Sequence, residues 1–359
     1  MIMLNRNKYM IWICWFHNTV DVYVVGKPLV TCFVTCLCIT MISMLLNSRV
    51  IPIHLIGVKL LESNQAERST TAVMRAGGPA GVRTRYNITF SNPGRLGNMM
   101  FAYASTLAIA RNNNLIPVLP SSSYLRDIFQ VTAGVLDEQR SSSPWISFHE
   151  KQACAFDRRT LHLKTGRNIN MVGYLQSWKY FNKFGEEVRR QLRFVDSIRS
   201  TADAYIRSVV EWHFGRNSSD VVTVGIHVRR TDMATEEAFK QGYSVANVDY
   251  IKSAMFYFQT KYKRVVFIVC TDDVTWCEQK VSPLDKRVAI SRNARTDATD
   301  LAILARCQHS IITTGTFGWW GAWLAGGTTI YYKRFPIPGS SMASNFNKGD
   351  FFPPHWIGL

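Results

Sequence analysis

Residues 221–228 are apolar apart from Thr223 and His227. A short run without polar alternation is the pattern of a strand covered on both faces, as in a parallel sheet. Similar short runs predict strands at 87–91, 115–119, 169–174, 264–270, 310–313 and 328–332. Helical stretches are predicted at 96–111, 186–192, 197–213, 249–263 and 297–307. Strands separated by helices of this length imply βαβ units and parallel pairing. From residue 221 onward the pattern reads as one doubly wound domain; the preceding half reads as smaller and less regular.

The chain has 359 residues, and 42 Lys and Arg against 25 Asp and Glu leave a formal net charge of +17. With 47% hydrophobic and only 19% charged residues it is not a disordered polyelectrolyte. The basic excess points to an acidic partner: nucleic acid, a membrane surface or a phosphorylated small molecule. The basic residues are scattered rather than striped along one element, which argues against nucleic acid.

Residues 28–48 carry no charge. As a helix rising about 1.5 Å per residue, this run reaches roughly 30 Å, the thickness of a bilayer core. It is expected to be a signal-anchor, after a cytoplasmic tail at 1–27 and before a stem at 49–85. The charge bias across it is slight and orients it only weakly. Two sequons beyond it, at Asn87 and Asn217, are N-glycosylation candidates if that side faces the lumen. The lumenal body is expected at 86–359, divided into 86–215 and 216–359. Its four cysteines, Cys154, Cys270, Cys277 and Cys307, lack zinc-ligand spacing, and their pairing stays open.

Four segments carry candidate chemistry. His227-Val228-Arg229-Arg230-Thr231-Asp232 stands where the buried strand ends, the edge at which open α/β sheets collect ligands. Two guanidinium forks there suit a diphosphate. The turn Gly94-Arg95-Leu96-Gly97-Asn98 joins a strand to a helix N-terminus, a natural anion site, without the spacing of a Walker loop or a dinucleotide fingerprint. Thr314-Gly315-Thr316-Phe317 follows another strand, and its hydroxyls and amides suit pyrophosphate oxygens. Trp319, Trp320 and Trp323 beyond it read either as stacking partners for a base or sugar, or as core. Asp272 and Asp273 at a strand end are candidates for a base, a ribose or a metal, or for helix capping; Asp297 and Asp300 also read as caps. Gly173 to Trp178 is a candidate lining for an acceptor groove.

The segments GRLGNMMFAYASTLAIA, GYLQSWKYF, GIHVRRTDM and TDLAILARCQHSIITTGTFGWWGAWL, in that order, resemble the α1,2-fucosyltransferase family. The resemblance covers the body from about residue 86 onward. It implies a type II Golgi membrane protein whose α/β body is GT-B-like, with two Rossmann-type halves containing parallel sheets, preceded by the transmembrane helix and stem. It implies transfer of L-fucose from GDP-fucose to the 2-hydroxyl of a terminal galactoside, with inversion and with no bound cofactor or metal required. His227, Arg229, Arg230 and Asp232 would then form the nucleotide-sugar motif. Gly94, Arg95, Gly97 and Asn98 would lie near the sugar and phosphate, Thr314, Gly315, Thr316 and Phe317 would complete the pyrophosphate site, and Asp272 would join the donor site.

Arg230 is expected to stabilise the departing diphosphate, with Arg229 auxiliary. His227, Asp232 and Glu236 are open alternatives for a base. Thr231 stands where the family often has Gly, leaving the path of that turn open. The competing readings are a fucosyltransferase of another linkage or acceptor, such as protein O-fucosylation, and a non-catalytic carbohydrate-binding membrane protein.

Overall fold

The structure, a computed structural model, describes residues 85–91, 94–136, 144–164, 166–216, 218–292 and 296–359, and the backbone alone of 2–6, 9–16 and 19–24. The expected span at 28–48 and the stem up to residue 84 lie outside the described residues. Among the described residues no helix is long and apolar enough to cross a membrane.

The chain divides into two units, Met1–Gly78 and Pro79–Leu359. The first is described through an antiparallel sheet of β1 (Ile2–Arg6), β2 (Tyr9–Phe16) and β3 (Thr19–Val24), within the segment expected as a tail.

The second unit contains two parallel sheets. The first sheet is built from β4 (Asn87–Ser91), β5 (Ile116–Leu119), β6 (Gly134–Val135), β7 (Trp145–His149) and β8 (Asn168–Val172) in the order β6-β5-β4-β8-β7. The second is built from β9 (Val222–Val228), β10 (Val265–Thr271), β11 (Val288–Ile290), β12 (His309–Ile312), β13 (Thr329–Tyr331) and β14 (Ile357–Gly358) in the order β11-β10-β9-β12-β13-β14. That is the doubly wound order, and the strand path reverses between β9 and β12. In the first sheet the reversal falls between β4 and β8. Loops leaving these four strands therefore diverge and leave crevices, and the motifs at 94–98, 173–178, 229–232 and 314–317 follow them, while Asp272 and Asp273 follow β10.

The described helices of ten residues or more are α1 (Leu96–Asn113), α2 (Asp196–Phe214), α3 (Val248–Lys261), α4 (Asp297–Arg306) and α5 (Thr316–Ala325). α1 is buried from Leu96 to Ala110 except at Asn98, as a helix apolar all round must be. It packs on α5 through an aromatic cluster in which the Phe101 ring lies 4.5 Å from Trp319 and 5.0 Å from Trp320. Both indoles are fully buried, and Trp319 Nε1–H donates to the Phe351 carbonyl at 2.8 Å. The stacking role considered for them gives way to a core role. The helices approach closely at Gly97, where a Cβ would come within 2.7 Å of Thr316 Oγ1 and 2.8 Å of the Phe317 nitrogen.

Two segments ignore the expected division at 215/216. α2 packs on α4 with an Arg306 Nε–Asp203 Oδ1 ion pair of 2.7 Å, burying Ala202 and Val209 with the second half. Near the C-terminus, Asp350 returns to the first half. Its carboxylate accepts from Phe156 N (2.8 Å) and Lys179 Nζ (2.6 Å), and its carbonyl accepts from Ser177 Oγ (2.7 Å).

Truncation of a fully buried Trp removes its packing and leaves a cavity, a loss of about 3–5 kcal/mol. Trp319→Ala is therefore expected to lower the urea midpoint of the purified protein sharply. Trp212→Ala, at an 85% exposed position, should leave it within about 0.5 kcal/mol.

Candidate active site

Side chains along a strand alternate between faces, so residues two apart share a side. His227 and Arg229, at the end of β9, both line a cavity of about 160 Å3 together with Arg95, Asp272, Thr316 and Phe317. Arg230 faces elsewhere. Its guanidinium lies 4.0 Å above the Trp276 ring, and its Nε stands 3.5 Å from Asp273 Oδ2. Arg229 thus lines the cleft, and Arg230, expected there too, packs on Trp276 outside it.

Arg229 is held by Asp232. Its Nε donates to Oδ1 at 2.9 Å and its Nη2 to Oδ2 at 2.5 Å. Nη1 lies toward Gly315, where a Cβ would come within 3.0 Å of it. Gly315 has φ +106°, a conformation that favours glycine, so backbone and guanidinium meet without obstruction. Arg95 reaches across from the start of α1, its Nη1 3.6 Å from Asp232 Oδ2. The hydrogen bonds from Arg229 hold Asp232 below the usual carboxylate range. It stands between two guanidiniums, Arg229 and Arg95. Glu236, the other carboxylate considered, is exposed and paired with Lys240 at 2.7 Å.

Asp272 lines the cavity and also fixes the turn after β9. Oδ1 accepts from the Arg230 nitrogen (2.8 Å), and Oδ2 from the Thr231 nitrogen (3.2 Å) and hydroxyl (2.6 Å). The Thr231 hydroxyl therefore settles the path that its departure from Gly left open. Asp273 caps the following helix through the Trp276 nitrogen at 3.0 Å. Among the described residues no group of three or more His, Cys, Asp and Glu is placed to hold a metal ion.

The N-termini of α1 and α5 converge on the cleft: Arg95, Leu96 and Gly97 line it from one side, Thr316 and Phe317 from the other. Their positive dipole ends and the two guanidiniums favour an anion, while the carboxylates of Asp272, Asp297 and Asp300 line the same cavity. Gly94 immediately precedes the α1 cap. Thr316 Oγ1 donates to Asn98 Oδ1 at 2.8 Å, joining the two helix starts. Thr314 does not reach the cleft: it is buried, and its hydroxyl donates to the Ser244 carbonyl at 2.7 Å. His227 is 5% exposed, and its Nδ1 is buried without a hydrogen-bond partner among the described residues. Burial, reinforced by the Arg229 charge, pushes its pKa down to about 4, so the ring is neutral at working pH.

A second cavity, of about 280 Å3, adjoins the first and shares Arg229 and Thr316 with it. Its wall on the side of the first sheet carries Asn98, Cys154, Tyr174 and Gln176. Behind that wall is Glu150, which follows β7 and was not foreseen as a functional candidate. Its Oε2 accepts from the nitrogens of Tyr174 (2.9 Å) and Leu175 (3.1 Å), while Oε1 is buried without a partner among the described residues. The signal was present in the sequence: Ile146 and Phe148 alternate inward, marking a strand that ends beside Glu150.

Asn87 is the first residue of β4, and its nitrogen donates to Asn168 Oδ1 at 2.8 Å; Thr89 of its sequon is buried. This is strand, not the surface loop that a glycosylation site suggests. Asn217 lies outside the described residues. Of the four body cysteines, Cys270, Cys277 and Cys307 are buried and Cys154 is half-buried.

Burial pushes the Glu150 carboxyl up to about 7, although the two backbone donors pull it back. A carboxyl raised on folding binds more protons in the native state, so stability is lost as pH rises from the ordinary carboxylate range to 7. Glu150→Gln keeps an acceptor for the donors and removes the charge. It should match the wild type near pH 4 and exceed it above pH 7 by up to ~3 kcal/mol, as read from urea midpoints across that range.

With this geometry in place, comparison with known proteins is specific. The profile of Glycosyl transferase family 11 matches residues 58–359. Galactoside 2-alpha-L-fucosyltransferase Sec1 of Mus musculus is 32% identical over 271 residues, 74% of this chain and 72% of that protein. Galactoside alpha-(1,2)-fucosyltransferase 2 of Rattus norvegicus is 31% identical over 276 residues, 76% of each. Among solved structures, a variant of Arabidopsis thaliana FUT1 in complex with GDP shares the fold, with a TM-score of 0.50 at 9% identity over 74% of each chain. A match over this much of the chain, joined to relatives of this similarity, makes the protein a member of glycosyl transferase family 11.

Proposed function

We propose that this protein transfers L-fucose from GDP-fucose to the 2-hydroxyl of a terminal galactoside, with inversion, forming an α1,2 linkage. The observation that carries this reading is the position of Arg229. It stands at a crevice between parallel strands, beneath two helix N-termini, where a charged cavity meets a largely neutral one. Family membership and the names of the relatives supply the sugar and the linkage.

The diphosphate of the donor is placed in the charged cavity, with its β-phosphate at Arg229 Nη1. As the glycosidic bond breaks, negative charge grows on that phosphate, and a fixed guanidinium stabilises the transition state more than the bound donor. Asp232 is a positioning residue: it takes Nε and Nη2 and aims the remaining nitrogen. Arg95 closes the mouth and Asp272 secures the turn. The neutral His227 ring supplies a hydrogen bond to phosphate or sugar rather than a charge. A loose, oxocarbenium-like transition state lessens the demand for a strong base at the acceptor hydroxyl.

The GT-B-like description of the body, the anchor at 28–48 and a lumenal orientation in the Golgi belong to the same reading. They are supported by the two-sheet architecture and by the uncharged run. Full-length protein is expected to stay in the membrane pellet after an alkaline carbonate wash; release into the supernatant would remove the anchor.

The chemical test compares the two arginines using GDP-fucose and phenyl β-D-galactoside with linkage analysis of the product. Arg229→Ala should lower kcat/KM by about 100-fold or more, as loss of a transition-state donor does. Arg230→Ala, which loosens the wall, should lower it by about tenfold or less. The reverse order would overturn the assignment.

A further inference from the structure

The second cavity differs in kind from the first. Arg229 is its one charged lining residue among the described residues; the rest are aromatic, apolar, hydroxyl or amide. A nucleoside diphosphate has no match for its charge there beyond Arg229 itself. A pyranose ring fits such a lining, because its C–H face lies on aromatic rings while its hydroxyls meet amides and hydroxyls. We propose that this cavity is the acceptor subsite, in which the terminal hexopyranose of a neutral glycan rests between Tyr174 and Tyr243. The proposal rests on the fucosyl-transfer reading above and extends it to the second substrate.

Three observations support it. The cavities meet at Arg229 and Thr316, so an occupant of the second would face the bond that breaks in the first. The volume, about 280 Å3, lies just below the usual range of ligand sites (about 300–1,000 Å3). It suits a terminal sugar unit, with the remainder of the glycan outside. The wall is also locked before any ligand arrives. Gln176 Nε2 donates to Asn98 Oδ1 at 2.9 Å, and Cys154 Sγ–H donates to Gln176 Oε1 at 3.1 Å. Leu175 is held at φ +50° by Glu150 on its nitrogen and by the Ser105 hydroxyl on its carbonyl, which fixes the turn that carries Tyr174. Opposite, the Tyr243 ring is stacked on Phe335 at 5.9 Å and 23°. A wall ordered in advance reduces the entropy lost on binding.

Two variants test the subsite. Tyr174→Ala removes a platform at a 40% exposed position, where folding does not depend on it. Met342→Trp fills the opposite wall. Each should raise KM for phenyl β-D-galactoside about tenfold or more, while the calorimetric Kd for GDP stays within about twofold of the wild type. An unchanged acceptor KM in both variants would overturn the proposal, as would a GDP Kd that rises in step with it. Absence of fucosyl transfer by the wild type would remove the underlying reading and the subsite with it.

Discussion

The close approach of α1 and α5 at Gly97 is the constraint on which the site depends. Two helix N-termini carry like partial charges and repel each other. They are forced together here by the Phe101, Trp319 and Trp320 cluster, which buries large aromatic surface directly behind the contact. Any side chain larger than hydrogen at residue 97 would meet Thr316 and the Phe317 backbone. The result is a floor formed by two helix starts, whose mutual repulsion an entering anion would relieve.

The guanidinium arrangement follows from the same economy of space. Asp232 accepts from Arg229 on one side and stands beside Arg95 on the other, linking residues that precede α1 to residues that follow β9. One carboxylate thus holds an arginine in aim and joins the two halves of the cleft at its mouth. The first cavity is charged because these groups converge on it. Its neighbour is nearly neutral because Arg229 is the one charged side chain among its described lining residues.

Much of this was legible in the sequence. The central strands and long helices stand within a few residues of their predicted bounds, because a parallel sheet writes each strand as an uninterrupted apolar run. The clustering of the motifs at strand ends followed from topology. The sequence reading favoured Arg230 for the cleft, whereas Arg229 lines it, because a turn after the strand does not reveal which of two adjacent side chains points inward. What the sequence hid was long-range pairing. Nothing near Thr314 announces Ser244, nothing near Glu150 announces the nitrogens of Tyr174 and Leu175, and Trp319 finds Phe351 only in three dimensions. The strands β6, β11 and β14 escaped because two or three residues cannot establish a period.

The return of Asp350 to the first half bears on biosynthesis. During translation, the donors on Phe156 and Lys179 emerge roughly two hundred residues before their partner. They wait, with the aromatic surface that receives Phe351, until residues 350 and 351 have been made. Completion of the packing beside the N-terminal sheet therefore lags far behind the synthesis of its strands. Nascent chains stalled short of that point would present an unfinished apolar face to quality control.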